Sequence, residues 1–515
     1  MNRSSGVLLP FFSLPGPFGI GVMGQEALLF ADALHTAGCK YWLVLPLSPP
    51  GGYNSPYQCS SSFAGNPLFI DPRGLYRHAL ISAEDYEALY QEHQSKVNYE
   101  EVIPKHRALL HKAFTNLSEQ DRQALYEFWT QEAYWIDDYS LFMALKEHFG
   151  FHLPWWEWPD AAFREKDPGA IHHFRETQHE LILYYVYEQY EFTRQWKHLK
   201  KAINDLDIEI IGDLPIYPST DSAEFWAHPE EFETDEKGMP TRVAGVPPDY
   251  FSEDGQLWGN PLYRWDKMKE NGYQYWMRRV GKQLEWYDAL RIDHFRAFAN
   301  YWAIPADADT ARNGVWEFGP GMDLFNVLFQ HFPKECIIAE DLGDLDQHAL
   351  NFFKEADLPG MSIFQFSFGP NEYCTTRPHS YKRKLVAFTG THDNNTMMGW
   401  ANAIEQDEWQ RACDYLGLNM KVEELKEGAD NPLCQASIRV LFQSVADLII
   451  IPVQDLLGLG SEYRINIPST VGDNWNPRFS QEQLWQIDVF GLRRLNDVTQ
   501  RTPQGRKPLD FSGFM

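Results

Sequence analysis

Eight short runs of apolar or β-branched residues punctuate the chain, at 6–9, 41–47, 208–214, 289–292, 336–339, 361–366, 385–388 and 446–453. Several are continuous rather than alternating, which is the pattern of strands buried on both faces. Stretches with helical spacing lie between most of them, such as 25–37 after the first run and 265–286 before the fourth. This repetition predicts an α/β fold in which eight strand–helix units close into a single (β/α)₈ TIM barrel spanning 1–515.

The intervals are uneven. Residues 79–206 far exceed one crossover, and helical spacing over 82–95, 118–149 and 171–201 predicts a mainly helical insertion. Residues 217–262 are rich in Pro, Gly and acidic side chains and are expected to form a lid or binding-loop insertion. Both would sit at the catalytic face.

Composition narrows the function. With 44% hydrophobic and 15% aromatic residues in a chain of 515, there is material for a large core and aromatic groups left to line a site. A formal net charge of −27 disfavours nucleic acid and anionic membranes as partners, whereas a neutral substrate is indifferent to it. The six cysteines, Cys39, Cys59, Cys336, Cys374, Cys413 and Cys434, are scattered without CxxC or Cys/His zinc spacing, so a cytoplasmic protein with reduced thiols is expected. No signal peptide, anchor or membrane span is predicted.

Chemistry concentrates where three of the runs end in acids: Arg291-Ile292-Asp293-His294, Ala339-Glu340-Asp341 and Thr391-His392-Asp393. Barrel enzymes place such strand ends at the catalytic rim. Cleaving a glycosidic bond needs one carboxylic acid to protonate the leaving oxygen and one carboxylate to attack the sugar or activate water. Arg291, two residues before Asp293 on a strand, points to the same side and would hold that carboxylate ionised.

The order Arg-x-Asp, Glu, His-Asp resembles the α-amylase superfamily. Further words are Asn54-Ser55-Pro56-Tyr57-Gln58, Ala64-Gly65-Asn66-Pro67, Gly212-Asp213-Leu214-Pro215, Asp221-Ser222-Ala223-Glu224, Val243-Ala244-Gly245-Val246-Pro247-Pro248-Asp249 and Gln256-Leu257-Trp258-Gly259-Asn260. With them the chain resembles, more closely, the 4-α-glucanotransferases called amylomaltases or disproportionating enzymes. The resemblance implies a retaining transfer of α-1,4-glucan segments between maltooligosaccharides, starch or glycogen chains and glucose, through a covalent glucosyl-enzyme; with no phosphate loop and no metal cluster in the sequence, no cofactor or metal is expected. It implies Asp293 as nucleophile, Glu340 as general acid/base and Asp393 as transition-state stabiliser, with Arg291, His294 and His392 supporting them. Ser55, Tyr57, Asp213, Gln256, Trp258 and Asn466 would contact the glucan, Tyr57 stacking on a sugar. The chain departs from the family at Pro468-Ser469-Thr470, where Pro-Gly-Thr is usual, and at Trp475-Asn476-Pro477-Arg478, where Trp-x-Trp-Arg is usual. The trio alone would equally serve a hydrolase of the superfamily; the other words favour transfer.

Two other motifs fail on context. Gly19-Ile20-Gly21-Val22-Met23-Gly24 fits GxGxxG, but Pro15 and Pro17 separate it from the strand, and the next strand runs into Leu45-Pro46-Leu47 instead of an acid. Asp307-Ala308-Asp309 opens like a calcium loop, but Arg312 stands where its glycine belongs.

Overall fold

The computed structural model describes residues 3–248, 252–370 and 376–505. Twelve strands among these are β1 (Ser4–Leu8), β2 (Tyr41–Leu43), β3 (Glu209–Leu214), β4 (Arg242–Val246), β5 (Gln256–Pro261), β6 (Ala289–Ile292), β7 (Asn300–Pro305), β8 (Val315–Phe318), β9 (Ile337–Ala339), β10 (Gly360–Ile363), β11 (Leu385–Phe388) and β12 (Leu448–Pro452). Eight of them pair in parallel in the order β10-β11-β12-β1-β2-β3-β6-β9. The Ala339 N–H donates to the Pro359 carbonyl at 2.9 Å and brings the two end strands together, so the sheet closes as a (β/α)₈ barrel. Continuous apolar sequence gives continuous burial, as in β12, where all five residues of Leu-Ile-Ile-Ile-Pro are buried. Each such side chain contributes about 1.5–3 kcal/mol of transfer free energy.

Five expected elements are shorter or broken. The 41–47 run is a strand only to Leu43; beyond it Pro46 has no N–H to donate, and the Leu47 N–H goes to the Tyr287 hydroxyl at 3.1 Å. The 361–366 run leaves the strand at Ile363 and enters a 3₁₀ turn, Phe364–Ser367. Spacing over 171–201 is divided at Gln178 (φ −114°, ψ 26°) into helices Pro168–Thr177 and His179–Asp205. That over 265–286 is divided by Gly272 (φ +70°) and left-handed Tyr273 into Trp265–Glu270 and Gln274–Trp286. The expected helix at 82–95 ends at Glu87, because the following residues turn to tertiary partners: Gln91 N–H donates to the Pro17 carbonyl and Val97 N–H to Asn476.

Residues 79–206 hold long helices, Tyr99–Thr115, Glu119–Phe149 and His179–Asp205, the second started by a Ser118/Asp121 capping box. Within 217–262 lie β4 and β5, paired antiparallel, and β4 pairs in turn with β7 in a second sheet of order β5-β4-β7-β8. The Val243 to Asp249 word is thus largely strand β4, with Asp249 outside the described residues. Gly19, Gly21 and Gly24 serve packing: a Cβ on Gly19 would strike Gln91 and Val102, and one on Gly24 the Asp71 carboxylate. Among the described residues no helix is long and apolar enough to cross a membrane, and no disulfide joins two cysteines; Cys374 lies outside them.

Candidate active site

The C-terminal ends of β3, β6, β9 and β11 converge on one acidic centre. β3 and β6 are in register with Asp213 opposite Arg291. The Arg291 guanidinium, almost wholly buried, donates from Nη1 to Asp213 Oδ1 (2.8 Å) and Oδ2 (2.6 Å) and to Asp293 Oδ1 (2.9 Å). The Tyr57 hydroxyl donates to Asp213 Oδ2 at 2.9 Å. Asp213 is therefore sealed behind Arg291 with a 1% exposed surface. Two carboxylates against one guanidinium push the arginine further above its ordinary range despite burial, which alone would lower it.

Past Asp293 the chain turns sharply at His294 (φ +47°, ψ +47°), a left-handed conformation uncommon for a residue with a side chain. The turn aims the His294 N–H at Glu340 Oε2 (2.8 Å), while the Leu342 N–H reaches Oε1 (2.9 Å). Both oxygens of Glu340 are thereby fixed by backbone. Burial raises its carboxyl to about 7; Arg291 and the two N–H groups pull it down, and the Asp293 charge pushes it up. The His294 ring is driven down to about 4 by burial and is neutral at neutral pH. Its ring meets the Trp258 ring edge to face, with centroids 4.7 Å apart.

Asp393 lies five residues past β11. Asn466 Nδ2 donates to its Oδ1 at 2.6 Å, His392 Nε2 stands 3.3 Å from its Oδ2, and Arg464 Nη2 donates to its carbonyl at 2.7 Å. The Asn466 N–H also donates to the His392 carbonyl, so the segment after β12 clamps this loop twice. One face of the Tyr57 ring lies on buried His392 (5.1 Å, 17°), and Trp475 tilts against both rings at 5.5 and 5.8 Å.

The expected site residues therefore gather, by different routes. Asp293, Glu340, Arg291, Asp213, Tyr57 and His294 are joined by hydrogen bonds; Asp393, His392 and Asn466 form a second group, linked through the Tyr57–His392 stack. Gln256 and Trp258 share one side of β5, where Trp258 Nε1 donates to Gln256 Oε1 at 3.1 Å. Ser55 is tied in through Tyr57, whose N–H donates to its hydroxyl at 3.3 Å. Reasoning from the sequence did not find Trp475 as the third ring of the stack, nor what Arg464 holds; the departing tryptophan motif was the available signal. Among the described residues no group of three or more His, Cys, Asp or Glu is placed to hold a metal.

A family model described as 4-alpha-glucanotransferase matches residues 9–483. The 4-alpha-glucanotransferase of Streptococcus pneumoniae is 40% identical over 503 residues, covering 97% of this chain and 98% of its own. That of Thermus thermophilus is 41% identical over 510 residues, covering 97% and 99%. The solved amylomaltase of Streptococcus agalactiae, in complex with acarbose, superposes with a TM-score of 0.92 at 37% identity, covering 97% of this chain and all of that one. With its barrel, its acidic centre and these matches along nearly its whole length, the chain belongs to the 4-α-glucanotransferase family, the amylomaltases or disproportionating enzymes.

Proposed function

We propose that this enzyme transfers α-1,4-glucan segments with Asp293 as nucleophile and Glu340 as proton donor and acceptor. The observation that carries the assignment is the contrast between two neighbouring carboxyls: Asp293 is paired to Arg291 at 2.9 Å, while Glu340 is raised to about 7. A charged nucleophile beside a protonated acid is the division of labour that glycosidic cleavage needs. Asp293 Oδ2 attacks the anomeric carbon as the bond to the glycosidic oxygen breaks, and Glu340 protonates that oxygen. The 4-hydroxyl of a second glucan, maltooligosaccharide or glucose then gives its proton to Glu340, attacks the same carbon and releases Asp293. Two inversions return the α configuration.

Asp393 receives hydroxyls of the distorted sugar, its orientation set by Asn466 and His392. Asp213, without solvent access, acts through Arg291 as a positioning residue. With one Tyr57 face on His392 and its hydroxyl on Asp213, the ring's outer face is the part left for a sugar. Trp258 and Gln256 wall the acceptor side and keep water from the intermediate, which transfer requires because water greatly outnumbers acceptors. The scattered thiols support a cytoplasmic setting.

An α-glucosyl fluoride donor needs no proton to release fluoride. Glu340→Gln should therefore accumulate a covalent glucosyl adduct by intact mass, whereas Asp293→Ala should form none. An adduct on the Asp293→Ala protein would reassign the nucleophile. With pure maltotriose, the unaltered enzyme should give glucose and longer oligomers without net gain of reducing ends; a steady gain without longer products would mean hydrolysis.

A further inference from the structure

Asp455 lies in the short helix Val453–Leu456 that follows β12, with 1% of its surface exposed. Its Oδ2 accepts from the Thr389 hydroxyl at 2.5 Å and its Oδ1 from the Met397 N–H at 2.8 Å. Burial raises the carboxyl to about 6, and what draws it back down is these two hydrogen bonds rather than a neighbouring cation. A carboxylate buried without a cation costs the fold desolvation that an apolar side chain of similar volume would not. Its contribution therefore lies in the two groups that it joins.

Those two donors bracket Asp393. Thr389 is the first residue past β11, Met397 opens the helix Met397–Ala403, and Asp393 stands midway between them. Fully extended, such a connection could span roughly 26–29 Å. Here one carboxyl group touches both of its ends, which makes it a closed loop packed by its own side chains. The interior is braced as well. Asn394 Oδ1 accepts from the Thr391 N–H (2.8 Å) and hydroxyl (2.9 Å), and the Asp393 N–H donates to the same hydroxyl oxygen at 3.3 Å. Gln365 Nε2 donates to the Asn395 carbonyl at 2.7 Å. The Asp393 carboxyl thus projects from a fixed base, and Asn466 and His392 set its final orientation.

We infer that Asp455 is a positioning residue for the transfer reaction, fixing Asp393 against the distorted sugar by holding the 389–397 loop at both ends through Thr389 and Met397. The link to catalysis rests on the role proposed for Asp393; that Asp455 holds the loop rests on the hydrogen bonds alone. Asp393 meets the sugar in its distorted form, so a displaced loop weakens contacts of the transition state more than those of the ground state. The loss should fall on kcat rather than on KM. A displacement of about 1 Å is enough to cost on the order of a hundredfold.

The test cuts the hold without touching Asp393. Thr389→Val keeps the shape of the side chain and removes one bond, leaving Asp455 the other. Asp455→Asn keeps both, its amide oxygen accepting from Met397 and its N–H₂ donating to the Thr389 hydroxyl. With α-glucosyl fluoride as donor and maltose as acceptor, Thr389→Val should lower kcat about ten- to a hundredfold with KM within about twofold, and Asp455→Asn should stay within about threefold of the parent. In an Asp393→Asn background, the same Thr389→Val change should alter kcat by less than about twofold, because the group it misplaces is already gone. An equal factor in both backgrounds would mean that the bond serves the fold at large, and it overturns the inference, as does a loss in Asp455→Asn as large as that in Thr389→Val. Hydrogen exchange reads the hold directly. The peptide spanning 389–397 should exchange about tenfold faster in Thr389→Val while β1 and β12 keep the parent's protection, and unchanged exchange in that peptide also overturns the inference. If Asp393→Asn itself left kcat unchanged, the role proposed for Asp393 would fall, and the exchange result would still decide whether Asp455 holds the loop.

Discussion

Replacing Glu340 by Gln should remove a loss of stability that the parent suffers as the pH rises, while destroying its activity. The carboxyl moves from an ordinary 4.5 in the unfolded chain to about 7 in the folded one. At about 1.4 kcal/mol per pK unit, ionising it in place would cost about 3.5 kcal/mol, and partial contact with solvent brings this to about 2–3 kcal/mol. The sign follows from linkage: with a raised folded value, stability is greatest below about 4.5, falls as the pH rises through about 7 and is flat beyond. Glutamine never ionises, so its curve lacks this fall. Its amide also sets an N–H₂ against one of the N–H groups of His294 or Leu342, a penalty of about 1–3 kcal/mol that is independent of pH. The variant should thus be no better than the parent at about pH 4.5 and should gain about 2–3 kcal/mol on it by about pH 8. For a chain of this length one kcal/mol moves the midpoint by roughly 1 °C, so differential scanning calorimetry should see a relative gain of about 2–3 °C. The alkaline limb of kcat/KM on maltotriose for the unaltered enzyme should fall in the same range. Melting curves that stay parallel across that range would refute the account of Glu340 as a desolvated acid.

Four further outcomes are expected. A crystal with an oligosaccharide across the centre should place the Asp293 and Glu340 carboxyls about 5–5.5 Å apart, and a gap beyond ~6.5 Å would falsify the retaining mechanism. Arg291→Leu, which leaves Asp213 buried without its cation, should cost about 3–5 kcal/mol in urea unfolding, and Arg291→Leu/Asp213→Leu should recover much of that; equal losses would deny the pairing its role. Ser469 adopts φ +62°, where the family usually has glycine; Ser469→Gly should therefore be neutral or stabilising by up to about 1 kcal/mol, and a clear loss of stability would show that the side chain is needed. Trp258→Ala should raise the ratio of hydrolysis to transfer on maltotriose by opening the wall beside His294, and an unchanged ratio would move water exclusion elsewhere on the rim.

All eight barrel strands fall within apolar runs visible in the sequence or within a residue or two of their ends, because parallel strands shielded on both faces leave an unbroken apolar signature. The strand-end acids were legible for a related reason: a charge directly after such a run is conspicuous. The second sheet was not, since β8 is Val-Trp-Glu-Phe with Val315, Trp316 and Phe318 all exposed, and β4 sits among turn-forming residues. Helix spacing carried over 171–201 and 265–286 unbroken because apolar periodicity survives a single residue leaving helical geometry, as Gln178 and Tyr273 do. The burial of Asp213 could not be read from its motif either. It depends on Arg291 and Tyr57 closing over it from two other parts of the chain.

The small antiparallel sheet binds together two excursions that sequence order keeps apart. β4 and β5 leave the barrel between β3 and β6, β7 and β8 between β6 and β9, and the β4–β7 ladder, with Gly245 opposite Trp302, stitches one to the other. Anyone grafting a relative's acceptor wall onto this barrel should therefore exchange residues 217–262 and 300–318 as a matched pair. Taken singly, either donor segment would meet a foreign strand edge in the wrong register. The same interlock makes this wall inherit as a unit, so its variation should track both crossovers at once.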